Sequence, residues 1–464
     1  MKKEPKEIIE EIKNFATQKG ITVYLVGGYI RDKFLKRKSK DIDVVMEVDA
    51  LKFAKDFALR YGYPMPIFYG RFGTAMIEIN KIKLEFATCR RESYPENSRK
   101  PEVYFTDIYE DLKRRDFTIN AIAQNLLTGE LIDPFNGKMD LKNKLIKTPV
   151  EPDRTFFDDP LRILRGIRFA TRFNFEIEKN TKLAMKKNSF RLRIVSQERI
   201  ADEILKMMES PKPSIAFYLM DETGVLEEVL PELTALKEKK AEPCKELFAH
   251  TLKTVDNVSL HTKNIYLKIA TLLHDIGKPK TFKIENGKVS FHRHEFVGAK
   301  MAYKVCQRLK IGSNETNFII KLIKFHLRPH LLAKENPTDK GLRRFIKEIG
   351  KDMKYLFLLA KADLTSQNPL KIKRAIMQLE NLEKRIKEVN KKDKISSFKL
   401  AIDGFTIMSI LGIGSGKLVG GVKKYLENQI LEGNKPNKKR ELIKYLKENK
   451  TFILQEAKNM LEFL

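Results

Sequence analysis

Two aspartates spaced two apart, Asp41 and Asp43 in the stretch DIDVV, can together do chemistry that neither does alone. In a strand, alternate side chains point the same way, so both carboxylates project from one face while Ile42 packs on the other. Carboxylates so placed repel each other unless cations lie between them. That suits a pair of Mg²⁺ ions in phosphoryl transfer, one activating an attacking hydroxyl and one neutralising the leaving phosphates. Just upstream, Gly27 and Gly28 end an apolar run and open a basic helix, YIRDKFLKR, leaving bare backbone N–H groups to meet a triphosphate. A tight turn followed by an edge strand with solvated aspartates would use the same residues. Glu85 in KLEFAT alternates with apolar neighbours and offers either a third carboxylate or a solvent-facing strand residue.

Further pairs follow along the chain. In RRDFTIN, Asp116 and Asn120 lie four apart, which on a helix gives one shared face suited to a ribose, with Arg115 beside them. The plainer reading is a helix cap and a surface Asn. In DDPLRILR, Asp159 and Arg162 lie three apart, expected on one helix face that Arg165 and Arg168 continue. Cytosine and adenine each offer an exocyclic NH₂ donor beside a ring-nitrogen acceptor, whereas uracil and guanine reverse that order. An Asp acceptor beside an Arg donor therefore matches C and A and leaves polar groups unpaired against U and G, at ~1–3 kcal/mol per group. A surface ion pair is the alternative.

The ordered series VGGYIRD, DIDVV, EDLKRRDFTINAIA (110–123), DDPLRILRGIRFA (158–170) and QERIADEI (197–204) resembles the class II tRNA nucleotidyltransferases and related bacterial poly(A) polymerases. The resemblance runs through roughly the first 210 residues. It implies a polymerase-beta-like head and template-free addition of C, C and A to tRNA 3′ ends from CTP and ATP. Asp41 and Asp43 would then be catalytic and hold Mg²⁺. Nucleotide binding would fall to Gly27, Gly28, Arg31, Asp32, Arg115, Asp116 and Asn120, and to Asp159, Arg162, Arg165 and Arg168, the last two holding phosphate or buttressing the template. The family motif commonly opens with Glu where Asp158 stands here. Addition of A alone, of CC alone, or of poly(A) are the rivals within the class. The polar stretch after KLEFAT, with Arg90, Arg91, Arg99 and Lys100, is expected as a mobile loop near the site, and no shortening of the kind found in CC-only enzymes is visible.

All seven histidines lie between 250 and 330. His250, the pair His274-Asp275 in LLHDIGKPK, and Asp363 in KADLTS resemble the ligand set of HD-domain phosphohydrolases, and His292, His294 and His326 lie among them. Imidazole and carboxylate together suit Mn²⁺, Ni²⁺, Fe²⁺ or Mg²⁺, so a second divalent metal is expected at this site, unless the HD domain is kept as scaffold only. A phosphohydrolase with a decayed polymerase head, or a purely structural RNA-binding protein, are the readings from other classes. Near the C-terminus, LGIGSGKLVGG fails as a Walker loop, because Leu411 replaces the first Gly and Leu418 follows Lys417 where Ser or Thr is needed. It reads instead as a Gly-rich turn opening a helix, which in the resembled family rests on the tRNA elbow.

These groups need a scaffold, and the hydrophobic pattern supplies it. TVYLV, IDVVMEV, TAMIEI and IKLEFAT read as strands, the last two as a hairpin across Asn80-Lys81. Beyond about residue 140, apolar residues recur at three- and four-residue spacing, so the fold class is α+β: an α/β head and an all-α neck, body, HD domain and tail. The expected bounds are head 1–138, neck and body 139–232, HD domain 233–390 and tail 391–464, with breaks at 133–138, 231–243 and 389–397. Lys and Arg number 90 against 61 Asp and Glu in 464 residues, a net charge of +29 that attracts polyanions, tRNA foremost. Cys89, Cys244 and Cys306 are too scattered for a disulfide framework or zinc ribbon, and no apolar run reaches a membrane span. A cytoplasmic location is the expectation.

Overall fold

The computed structural model describes residues 3–39, 41–93, 102–237, 247–335, 337–366, 368–393, 399–432 and 434–462. Cys244, Arg99, Lys100 and the 394–397 part of the last expected break lie outside them. Two compact units are formed, Met1–Glu238 with Val305–Ile311, and Lys239–Lys304 with Gly312–Leu464.

The first unit is built on a seven-stranded mixed sheet. Its strands are β1 (Val23–Val26), β2 (Asp41–Met46), β3 (Ile67–Tyr69), β4 (Thr74–Ile79), β5 (Ile82–Thr88), β8 (Ala123–Asn125) and β9 (Leu131–Ile132), in the order β3-β4-β5-β2-β1-β8-β9. Every pairing is antiparallel except β2 with β5, where Asp43 lies opposite Glu85 and Val44 opposite Phe86. This register decides the chemistry of the two faces. Ile42, Val44, Leu84 and Phe86 share one side, and all are buried. There the helices α1 (Pro5–Lys19) and α3 (Ala50–Tyr61) pack on the sheet, with Phe15 5.1 Å from Phe53 and Phe86 5.5 Å from both Phe53 and Phe57. Burying each such ring contributes ~2–3 kcal/mol. Asp41, Asp43 and Glu85 are left on the other face. That face is covered at one end by a second apolar cluster, including Tyr24, Val26, Val45, Ala87, Ile108 and Leu112, and stays open at the carboxylate end.

The helices carry their own start and stop signals. The Asp49 side chain accepts from the Leu51 and Lys52 amides at the start of α3, and Gly62 ends it in the left-handed region. The short helix α2 (Gly27–Phe34) follows β1 directly, as the two glycines predict. After the head come, among others, α6 (Pro152–Asp158), α7 (Leu161–Phe173) and α9 (Gln197–Met208). Gly166 lets α7 approach closely: a Cβ there would lie 2.5 Å from Met185 Cε and 2.7 Å from Phe117 Cζ.

Three local expectations are corrected. The segment after Cys89 is no simple loop, because β6 (Arg90–Ser93) pairs antiparallel with β7 (Glu102–Phe105); only 94–101 lie outside the described residues. The lysine-rich break near 389 is continuous helix from Pro369 to Asp393. Asp116 and Asn120 do not share a helix, since Asn120 closes a 3₁₀ turn (Thr118–Asn120) and Asp116 precedes it.

Among the described residues, the regular elements of the second unit are helices apart from the short hairpin Lys283–Glu285 with Lys288–Ser290. Its C-terminal helices, Gly404–Leu411, Lys417–Leu431, Lys439–Glu448 and Lys450–Glu462, enclose their own core around Ile407, Val422, Leu426, Leu446 and Ile453. Among the described residues no helix is long and apolar enough to cross a membrane.

The hairpin joining β4 to β5 turns through Asn80 and Lys81 with φ of 51° and 68°. A left-handed pair is what a two-residue hairpin needs, and Gly fills the second position with least strain. Lys81→Gly is expected to raise full-chain stability by about 0.5–1 kcal/mol in thermal melts; an unchanged or lowered midpoint would contradict the turn assignment.

Candidate active site

The carboxylate end of the sheet opens into a cleft of about 640 Å³, lined among others by Gly27, Gly28, Arg31, Asp43, Glu85, Arg115, Asp116, Asn120, Asp159, Arg162, Arg165 and Arg168. An adjoining cavity of about 560 Å³ shares Gly28, Arg31, Asp43, Glu85 and Arg165 and adds Asp32 and Asp41. Residues from five separate stretches of sequence thus meet at one place.

On the floor, Asp43 is half-buried, and the loss of water around it, with Asp41 adding repulsion, raises its pKa against the pull of Arg115. Glu85 is raised likewise, by desolvation and by Asp43. A raised carboxylate pKa marks a site where negative charge is under-compensated, as a cation-binding site is before its ion arrives. Asp43 and Glu85, paired on adjacent strands, offer the hard oxygen ligands that a divalent ion takes. Glu85, left open by sequence alone, is drawn in by the parallel register.

Gly27 adopts φ of +63°, and a Cβ there would lie 2.9 Å from Arg115 Nη1 and 3.2 Å from Asp43 Oδ2. Only glycine meets both demands, so the backbone can come close to whatever Asp43 holds. The Gly28 N–H already points to the Asp43 carboxylate.

Above the floor a polar chain fixes the cationic groups. The Arg31 guanidinium donates to Asp32 Oδ1 at 2.9 Å and to Asn120 Oδ1 at 2.7 Å, and it faces Phe169 and Phe173. Asn120 Nδ2 donates to Asp116 Oδ1 at 2.9 Å, and Arg165 Nε to Asp116 Oδ2 at 2.7 Å. Burial opposes ionisation of Asp116, but Arg165, the Asn120 amide and Arg162 outweigh it and hold its carboxyl down to about 2. Asp116 and Asn120 therefore meet through a hydrogen bond across a tight turn, without the helix face expected for them. Arg115 is held by Asp111 Oδ2 at 2.9 Å, and Arg114 by Asp111 Oδ1 at 2.6 Å. Asp111 had no role assigned from sequence, although an acid three and four residues ahead of two arginines is a readable helical signal.

Asp159 also departs from the expected helix face. It has extended dihedrals (φ −135°, ψ 98°) between α6 and α7, because the residue before Pro160 is excluded from the helical region. Its Oδ1 accepts from the Leu161 N–H at 3.2 Å, and Arg162 Nη2 donates to the Arg114 carbonyl at 2.8 Å. Asp159 and Arg162 still reach the same cleft. Of the two expected roles for Arg168 the geometry favours the buttress, since its Nε donates to buried Glu203 Oε2 at 2.6 Å, tying α7 to α9. Glu203 lies within QERIADEI, but nothing local in the sequence pairs residues 35 apart, so this partnership is visible only in the fold.

In the second unit, His250, His274, Asp275 and Asp363 converge. His250 Nε2 lies 2.9 Å from Asp363 Oδ1, His274 Nε2 lies 3.2 Å from the same atom and 3.4 Å from Asp275 Oδ2. His250, His274 and Asp275 form one group able to hold a metal ion. Asp275 is wholly buried, and its Oδ1 accepts no hydrogen bond of ordinary geometry. His292 is exposed, whereas His294 and His326 are buried beside Asp275.

Residues 23–147 match the Poly A polymerase head domain, 174–237 the probable RNA and SrmB-binding site of polymerase A, and 247–365 the HD domain. The Multifunctional CCA protein of Aliivibrio salmonicida is 31% identical over 66% of this chain and 75% of its own length. The chain belongs to the tRNA nucleotidyltransferase and poly(A) polymerase family. Another member, the A-adding tRNA nucleotidyltransferase of Aquifex aeolicus, is 34% identical over 62% of this chain and 37% of its own length. The chain spans about half or less of the length of the first curated relatives it matches. The Thermotoga maritima CCA-adding enzyme, solved in complex with tRNA, superposes with a TM-score of 0.58 at 25% identity, covering 99% of this chain and 97% of that one. The family membership and the α+β head-and-helices class expected from the motifs both hold.

The raised pKa of Asp43 gives a stability test. A carboxyl whose folded pKa exceeds its unfolded value stabilises the fold only while protonated, so the metal-free head loses stability as pH rises through that pKa. At neutral pH, Asp43→Asn is expected to raise the metal-free melting midpoint by a few degrees, on the order of 1 kcal/mol, and to abolish the rise caused by Mg²⁺. A lower midpoint in the variant would contradict the reading.

Proposed function

We propose that the chain adds C, C and A to tRNA 3′ ends without a template, taking CTP and ATP and releasing pyrophosphate. The observation that carries this reading is one cleft in which Asp43 and Glu85 lie side by side on the floor while Asp159 and Arg162 reach in from the start of α7. Asp41 and Asp43, with Glu85 beside them, would hold Mg²⁺, which supplies charge neutralisation for the triphosphate and acidifies the primer hydroxyl.

The chain's own residues do the rest. Gly27 and Gly28 admit the phosphates, and Arg31, braced by Asp32 and Asn120, offers a positioned cation. Asp116, whose Oδ1 accepts from Asn120 and the Phe117 N–H and whose Oδ2 accepts from Arg165, would meet a ribose hydroxyl by exchanging one of these bonds. Asp159 and Arg162 present an acceptor and a donor, the order that cytosine and adenine answer. The relatives' names, CCA-adding among them, support the same reading, and the net charge of +29 suits tRNA.

The proposed parts are the head 1–138, neck and body 139–232, HD domain 233–390 and tail 391–464. In the tail, the Gly-rich turn before the helix Lys417–Leu431 would rest on the tRNA elbow, with Lys417 exposed for a phosphate. His250, His274, Asp275 and Asp363 would hold one divalent transition ion, in keeping with their mixed nitrogen and oxygen donors. A cytoplasmic site of action completes the proposal.

The test uses tRNAs ending at the discriminator base, after C and after CC, with CTP and ATP supplied separately. CTP is expected to extend the first two and ATP only the third. Asp159→Ala and Arg162→Ala should each cut discrimination against UTP and GTP by about 10–100-fold, the worth of ~1–3 kcal/mol. Extension of the third tRNA alone would make the enzyme A-adding, and unaltered base choice in both variants would overturn the templating role.

A further inference from the structure

Arg191 has a fixed place and no anion. It lies on the 3₁₀ turn Ser189–Ile194, which buried Leu192 anchors. Its guanidinium carbon stands 3.7 Å from the ring centre of Phe157, an exposed side chain at the end of α6. The next closest cation–ring approach among the described residues is 4.3 Å. Arg191 makes no hydrogen bond or ion pair among the described residues, and its Nε is enclosed without an acceptor.

The acids around it are already taken. Arg154 Nε donates to the two Asp158 oxygens at 3.0 and 3.3 Å, and Arg193 donates to the two Glu228 oxygens at 2.6 and 2.8 Å. An arginine that only adds surface charge keeps its long side chain free in water. Stacking on a ring face removes that freedom and strips water from Nε, a cost that is offset once the planar fork meets an acceptor. Two rigidly held Nη groups match two oxygens of one phosphate.

The position of the fork identifies which phosphate. Phe157 precedes Asp159 by two residues, and Asp159 lines the cleft with Arg199, whose Nη2 lies 3.8 Å from Asp159 Oδ2. Arg191 itself lines neither that cleft nor the adjoining cavity that contains Asp41. An incoming triphosphate has to reach the glycines and the carboxylates of the sheet, so it is not the ligand of Arg191. An RNA strand with its 3′ hydroxyl on the carboxylate floor has to leave the cleft over its rim, and it carries a phosphate at every nucleotide.

We propose that Arg191, held on the face of Phe157, grips one backbone phosphate near the 3′ end of the RNA strand being extended and so positions that end over the cleft. Arg154 supports the contact by neutralising Asp158, which would otherwise repel the phosphate. The proposal rests on the reading of the cleft as one that extends an RNA 3′ end, and the experiment reads binding and extension separately.

Full tRNAs ending after C and after CC are prepared with a methylphosphonate, which removes one phosphate charge, at each linkage near the 3′ end in turn. Binding is followed by fluorescence anisotropy, and incorporation from CTP and ATP by steady-state kinetics. Arg191→Met is expected to weaken tRNA binding and raise the KM for tRNA about tenfold. The KM for nucleotide and kcat should stay within about twofold of the parent, since no contact to the nucleotide is lost. The slope of log affinity against log salt should fall by about one. One methylphosphonate should cost the parent about tenfold and cost Arg191→Met nothing further. Phe157→Leu, which frees the guanidinium, should weaken tRNA binding about threefold.

Circular dichroism melts show whether Arg191→Met has folded, and Arg191→Gln takes its place if it has not. The proposal is overturned if every linkage costs the variant what it costs the parent, or if the KM for nucleotide moves while the KM for tRNA does not. An unchanged affinity in Phe157→Leu overturns the part given to the ring. A parent that binds tRNA with the expected dependence on one linkage but incorporates neither nucleotide leaves the phosphate contact standing and overturns the polymerase reading.

Discussion

The parallel pairing of β2 with β5 is the constraint from which the proposed active site follows. It sets Asp43 beside Glu85 on one face and Val44 beside Phe86 on the other. The apolar face is sealed by the aromatic cluster of α1 and α3, and that burial fixes the register, since a slip of one residue would turn the carboxylates into the core and the phenylalanine into the cleft. Hydrophobic packing on one side thus holds like charges together on the other. Desolvation first, and that crowding after it, raise the pKa values of Asp43 and Glu85.

The cleft's opposite requirement, fixed positive charge, is met by acids that are themselves buried. Asp111 holds Arg114 and Arg115, Asp116 holds Arg165, and Glu203 holds Arg168. Removing such an acid leaves a cation without its partner, which costs far more than the pair contributes when intact. Asp116 joins the head to α7, so the residues expected to sense the sugar and the base are coupled through one short polar chain, supported by the close approach of Phe117 to Gly166.

Much of this was legible from residues alone because the signals were local. The alternation in DIDVV and KLEFAT predicts the strands and their faces, and Asn80-Lys81 the hairpin. The two glycines after TVYLV predict the strand-to-helix turn. What was missed required distant pairing or local backbone chemistry. The helix face expected for Asp159 and Arg162 ignored Pro160, whose ring forces its predecessor out of the helix. The face expected for Asp116 and Asn120 gave way to a 3₁₀ turn that their own side chains bridge. The ribbon of β6 with β7 lay hidden in a polar stretch with little β pattern, and the place of Glu85 depended on a parallel neighbour that no local spacing announces. In the HD centre, the histidines beyond the expected set became readable only once helices from three regions of sequence were seen to converge.

A crystal structure of the full chain with Mg²⁺ and a non-hydrolysable CTP analogue tests the central claim most directly. Magnesium is expected between the triphosphate and the oxygens of Asp41 and Asp43, with the cytosine edge on Asp159 and Arg162. A triphosphate bound elsewhere, or ions held without either aspartate, would contradict it.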